Sequence, residues 1–146
     1  ELEKRWDIFF KIRDEVLKSL EKARQDKWIG NALEARVLLY VQREELKQIL
    51  NQNRALLPVI FIVSEVILLS DQKEGMSPSS LIKDFWIKIE KMSVPKCERC
   101  WKYRATVGKN RLYPSLCQEC NKIVEAFYLQ QEEKAQLAVK LEFGVK

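Results

Sequence analysis

The sequence contains no histidine, and its only cysteines are four residues at 97, 100, 117 and 120. Without histidine there is no Ser–His or Cys–His nucleophilic pair and no mixed histidine–cysteine metal site. It also lacks a long apolar run. The longest, about Leu56 to Leu69, is interrupted by Pro58, Ser64 and Glu65, so no segment spans a bilayer and no membrane partner is expected. No signal peptide is visible. The sequence opens on Glu1, directly in helical pattern, and reads as a piece cut from something longer.

What is present is concentrated in the cysteines. Cys97 and Cys100 form one pair, Cys117 and Cys120 the other, with sixteen residues between the pairs. A two-residue spacer lets one tight turn aim two thiolates at the same ion, and an arm of about 15–20 residues brings the second turn to face the first. The expected cofactor is one structural zinc ion held by all four. The competing readings fit less well. A redox pair needs only one such motif, opening a helix, and Trp101-Lys102-Tyr103-Arg104 is not a helix start. Disulfide frameworks belong to small chains poor in apolar residues, whereas here 47% are apolar. Iron–sulfur clusters use other spacings. A catalytic zinc would keep an open position.

With 26 basic and 21 acidic residues the formal charge is +5. Four thiolates and one zinc ion bring it to about +3. A mildly basic surface is compatible with nucleic acid without proving it.

The expected fold class is α+β. A long amphipathic helix runs over 2–27, with Trp6, Phe9, Phe10, Val16, Leu17, Leu20 and Ala23 at helical spacing. Lys4, Lys11, Lys18 and Lys22 share another face, with Glu15 and Glu21 close by. Gly30 ends this helix, and Trp28 and Ile29 pack under it. Leu33 to Val41 alternates as a strand covered on both sides toward its end. A short helix follows over 43–50, with Leu46, Ile49 and Leu50 inward. The β-branched stretch Val59 to Leu69 reads as a buried strand, 72–80 as a loop, and Ile82 to Lys91 as a further strand. A small mixed sheet of about three strands therefore precedes the cysteines. Between the pairs, Tyr103–Val107 and Arg111–Tyr113 flank Gly108-Lys109-Asn110 as a hairpin. A last helix covers 121–137. The expected divisions are 1–30, a terminal helix; 31–94, a small α/β domain; 95–128, the zinc ribbon; and 129–146, a tail.

Lys96, Arg99, Trp101, Lys102, Tyr103, Arg104, Lys109 and Arg111 place cations and aromatic rings on one small ribbon. That is the pairing single-stranded RNA asks for: bases stack on rings while phosphates meet Lys and Arg. Two of them have a plainer use. Trp101 can pack against the metal cluster, and Arg99 can offset the thiolate charge.

Three ordered stretches resemble a known family. Trp6…Arg13-Asp14-Glu15-Val16…Leu20-Glu21-Lys22-Ala23-Arg24…Ile29-Gly30-Asn31-Ala32-Leu33-Glu34-Ala35 is similar to the end of the anticodon-binding helical bundle of isoleucyl-tRNA synthetases, with Ala32 where serine is commonest. Phe61-Ile62-Val63-Ser64-Glu65-Val66 resembles the second strand of the small domain that follows. Lys96-Cys97-Glu98-Arg99-Cys100-Trp101-Lys102-Tyr103 resembles the zinc motif that ends bacterial and organellar members. Glu119 departs from the arginine usual in the second knuckle, and nothing carries over to 121–146.

The resemblance implies a C-terminal piece of an enzyme that activates isoleucine with ATP and transfers it to tRNA. The piece itself would bind the anticodon stem-loop of tRNA-Ile, hold zinc, lack the catalytic core, and be inactive alone. No catalytic residue is expected in it. Lys91-Met92-Ser93 matches the start of a synthetase ATP-loop signature only by coincidence, since Val94 and Pro95 replace its end. The implied partners are tRNA-Ile and the rest of the synthetase chain, in a monomer of the cytoplasm, or of a mitochondrion or plastid. Two other readings of the cysteines remain: the zinc finger of a formamidopyrimidine-type DNA glycosylase, and a zinc module for protein docking.

Overall fold

In the computed structural model of the chain, the backbone is described for residues 2–142 and the side chains for residues 6–136. The chain divides into two compact units, residues 1–93 and 94–146.

The first unit is an open sheet backed by helices. Helix α1 (Leu2–Gln25) buries Phe9, Ile12, Val16 and Leu20, a stripe at three- and four-residue steps. Trp6 and Phe10, expected on that stripe, are 54% and 56% exposed, their rings 6.3 Å apart. The helix ends earlier than Gly30. Lys27 takes the left-handed position (φ 57) and Trp28 N–H bonds back to the Ala23 carbonyl at 2.9 Å, the cap geometry usually given to glycine. Ile29 is buried as expected, but Trp28 is exposed.

Four strands follow: β1 (Ala35–Val41), β2 (Glu65–Leu69), β3 (Ser77–Pro78) and β4 (Phe85–Lys91). Their order is β2-β1-β4-β3, with β2 parallel to β1 and the other pairs antiparallel. Val37, Leu39 and Val41 of β1 share one face with Val66, Phe85 and Ile87, all buried. That face meets α1 and helix α2 (Glu44–Gln52), which buries Leu46, Ile49 and Leu50. Leu38, on the opposite face, is also buried, but Tyr40 beyond it is half-buried, so β1 is covered on both sides at its centre and less so toward the end where the sequence suggested it. Arg36 and Glu65, register partners on β1 and β2, form an ion pair across the parallel pairing.

Two expectations fail here. The sheet has a fourth strand, because two residues of the expected 72–80 loop pair with Ile87 and Trp86. Val59–Leu69 is not one strand. Helix α3 (Leu57–Ile60) occupies its start, opened by Pro58 in the first turn, and Ile62 turns the chain at φ 57. Proline presets a helical φ at that position, which overrides the β-branched composition until Glu65.

Glu15 is also not on the solvated face. It is buried and accepts from Ser80 N–H at 2.7 Å and Ser80 Oγ at 2.9 Å. Burial alone would raise its pKa. The hydrogen bonds from Ser79 and Ser80, with Lys18 nearby, outweigh that and hold it below the ordinary value.

The second unit has one long helix, α4 (Gln118–Glu142), which begins three residues before the expected 121. The expected hairpin is absent. Among the described residues, its arms form no ladder, and a single antiparallel bridge joins Lys96 to Tyr103. Val107 N–H bonds to the Arg104 carbonyl in a local turn, while Gly108 N–H reaches the Pro114 carbonyl across the loop, one bond where a ladder needs several. Pro114 itself has no N–H to offer.

Candidate metal centre and basic cavity

The second unit is organised by its cysteines. Cys97 N–H bonds to the Lys102 carbonyl and Trp101 N–H to the Cys97 carbonyl, both at 2.9 Å. Together with the left-handed Trp101 (φ 62), these bonds close the first knuckle and aim Cys97 and Cys100 the same way. Glu98 N–H bonds to the Ser115 carbonyl at 3.1 Å, joining the first knuckle to the second. Cys117 immediately precedes α4 and Cys120 lies in its first turn. All four sulfurs lie within 4.8 Å of one another, and Cys100 Sγ stands 3.8 Å from Cys117 Sγ. Four thiolates at the corners of a zinc tetrahedron, with bonds of about 2.3 Å, are about 3.8 Å apart. A disulfide needs about 2.05 Å. The donor set therefore fits a closed tetrahedral ion, and Cys97, Cys117 and Cys120 are themselves buried.

The electrostatics agree. Burial opposes ionisation of Cys97, but backbone N–H groups of Cys100, Cys117 and Arg99 overcome it and bring the thiol down to about 6. Burial pushes Cys100 up to about 12, its neighbouring sulfurs adding to the effect. Burial also raises Cys120, although Arg99 opposes it. Packed sulfurs without a cation resist a second negative charge. A divalent ion removes that resistance.

The eight predicted RNA-contacting residues separate into groups. Lys96 Nζ sits 4.7 Å above the Trp101 ring, a cation–π contact. Trp101 is 59% exposed and donates through Nε1 to the Glu98 carbonyl at 3.0 Å, so it is not packed into the cluster. Arg99 Nη1 lies 3.7 Å from Cys120 Sγ, where it offsets sulfur charge. Lys102 and Tyr103 are half-buried, as is Arg104, whose Nε has no partner among the described residues.

Lys109 and Arg111 instead line a cavity of about 530 Å³ with Thr106, Gln118, Asn121 and Lys122. The last three were missed from sequence. The signal is helical spacing, since Gln118, Asn121, Lys122 and Glu125 share a face once α4 starts at Gln118. Beginning the helix at Asn121 hides Gln118 alone, since Asn121, Lys122 and Glu125 share a face either way.

Comparison with known proteins reaches most of the chain. An isoleucine–tRNA ligase of Syntrophotalea carbinolica is 42% identical over 119 residues, covering 82% of this chain and 13% of the relative. One from Desulfitobacterium hafniense is 43% identical over 129 residues, covering 84% and 13%. One from Halalkalibacterium halodurans is 37% identical over 129 residues, covering 88% and 14%. The chain is homologous to a segment of the isoleucine–tRNA ligases. It spans only about one-seventh of the length of these ligase relatives. No family model matches it. Among the described residues, no helix is long and apolar enough to cross a membrane.

Proposed function

We propose that the chain is the C-terminal, zinc-bearing part of an isoleucine–tRNA ligase and binds the anticodon stem-loop of tRNA-Ile. The observation that carries this reading is ligase homology across more than four-fifths of the chain, together with four converging sulfurs. The homology favours it over a DNA-glycosylase finger or a docking module.

Cys97, Cys100, Cys117 and Cys120 would hold one zinc ion, which supplies folding free energy to the second unit and no chemistry on a substrate. The segment binds and orients; the parent ligase, in the cytoplasm or an organelle, activates isoleucine with ATP and charges the tRNA. Neither step belongs to residues of this segment.

Binding is assigned to exposed Lys96, Arg99, Trp101, Lys109 and Arg111 and to half-buried Lys102, Tyr103 and Arg104. Lys96 and Trp101 already make a cation–ring pair that a base can extend by stacking. Arg99 uses one N–H on sulfur and keeps others for a phosphate. Lys102, Tyr103, Arg104, Lys109 and Arg111 complete the set.

The test is a titration of the zinc-loaded chain with tRNA-Ile across a salt series, beside a damaged DNA duplex. Tight, salt-sensitive binding to the tRNA alone supports the reading. Equal affinity for the duplex, or no binding to either at low salt, overturns it.

A further inference from the structure

The first unit carries a separate cavity of about 290 Å³, walled by α1, α2 and the segment before β4. Its aliphatic lining is Ile8, Leu46, Ile49, Leu81 and Ile82. Leu46, Ile49 and Ile82 are buried, whereas Leu81 is 60% exposed. The other side chains that line it are Lys11, Arg43, Lys83 and Glu45, all exposed.

The walls are tied to one another. Ser79 Oγ accepts from Leu81 N–H at 3.2 Å and from Ile82 N–H at 2.9 Å, which holds Leu81 in a turn. The bonds from Ser80 to Glu15 fasten that turn to α1. At the other end of the segment, Gln42 N–H bonds to the Asp84 carbonyl at 3.1 Å, beside the entry to α2. A hollow fixed in this way needs little ordering when something enters it.

Charge and polarity narrow what that is. Arg43 and Glu45 pair with each other at 3.8 Å. Lys11 and Lys83 have no ion-pair or hydrogen-bond partner among the described residues, so two unmatched cations adjoin an aliphatic floor. No side-chain amide or hydroxyl lines the cavity. A nucleobase there would face aliphatic walls with its ring nitrogens and exocyclic groups unpaired, and an extended peptide would do the same with its amides. An aliphatic or aryl carboxylate carries no such groups. Its body meets the floor and its charge meets the lysines.

We propose that this cavity binds a small organic carboxylate, with its apolar body against Leu46, Ile49, Leu81 and Ile82 and its carboxylate facing Lys11 and Lys83. The site lies in the first unit, and the proposal does not rest on the RNA-binding reading of the second.

The probes are phenylbutyrate and its neutral amide. Each is titrated into the zinc-loaded chain and followed by the methyl resonances of Ile8, Leu46, Ile49, Leu81 and Ile82. Phenylbutyrate is expected to shift these methyl groups and to bind about fivefold more tightly than the amide, a preference of the size two exposed cations supply. Lys11→Gln with Lys83→Gln should bring the two probes to equal affinity. Leu81→Ala should weaken both by about fivefold through lost apolar contact. The substituted side chains are exposed, and melting of each variant is checked first.

Equal affinity for the two probes in the parent overturns the proposal. So do shifts confined to residues outside the cavity, such as Trp6 and Phe10, and so does the absence of any shift at millimolar phenylbutyrate. An oligoribonucleotide that moves the same methyl groups when phenylbutyrate does not would give the lysines to RNA and overturn it as well.

Discussion

In residues 1–93 the side chains sealed from water include Ile12, Val37, Leu39, Phe61 and Phe85, gathered between helices and sheet. In residues 94–146 the sealed apolar side chains, among those described, are Cys97, Cys117 and Cys120. The second unit does not lack apolar residues. Trp101, Leu112, Ile123, Phe127, Tyr128 and Leu129 are each more than half exposed. They are simply not used to close it. The first unit is stabilised by removing hydrocarbon from water, which needs many residues and tolerates imperfection in each. With an ion on its four sulfurs, the second would depend on a few atoms, which needs few residues and tolerates almost none of their losses.

Removing one ligand should separate the two most sharply. Cys97→Ser or Cys117→Ser is expected to abolish stoichiometric zinc and unfold the second unit, since structural zinc contributes on the order of 10 kcal/mol or more. Amide exchange should meanwhile remain slow in β1 and β4. A chelator should do the same to the parent chain. Stoichiometric zinc in either variant would refute the ligand set.

The converse experiment cuts the hydrocarbon core. Phe61→Ala removes a fully buried ring and is expected to cost about 3–5 kcal/mol, seen in chemical denaturation. Zinc content should be unchanged if the two units close independently.

Glu15 gives the first unit a pH dependence with a definite sign. Its folded pKa lies below the ordinary 4.5, so its contribution is fully present above that value and is lost as pH falls through the folded one. Glu15→Gln should weaken the unit by about 1–3 kcal/mol near neutral pH and flatten its acid limb. Denaturation curves between neutral and acid pH read both.

The smallest effect concerns partners rather than closure. Arg99→Ala with Lys102→Ala should weaken tRNA-Ile binding and reduce the salt slope by at most about two. An unchanged slope would leave Arg99 as a counter-charge to Cys120 alone.

How much was legible in the sequence follows the same division. The convergence of four sulfurs can be read from spacing because two short turns bring it about, and neither depends on what lies between them. The long helix, β1 and β4 can be read from periodicity because each buries one or both faces regularly. Val59–Leu69 misleads because a single proline at its head outweighs a run of β-branched residues. The strand Ser77–Pro78 is too short to carry any period. The ribbon hairpin fails because turn residues predict a reversal but not a ladder. The basic cavity was half visible: Lys109 and Arg111 stand out as charges and Asn121 and Lys122 fall inside the expected helix, while Gln118 joins their face only when the first residue of α4 is known.

Gly108 has one further consequence. It sits at φ +86, in a conformation few other residues adopt, and nothing lies within 4 Å of where a Cβ would project. Both ends of the tether that contains it are anchored at sulfur, and doubling the length of such a loop costs only about 0.6 kcal/mol. A foreign peptide grafted at this tip should therefore leave the anchorage intact while altering what can reach Lys109, so the surroundings of that side chain could diversify without the attachment of the loop having to be rebuilt.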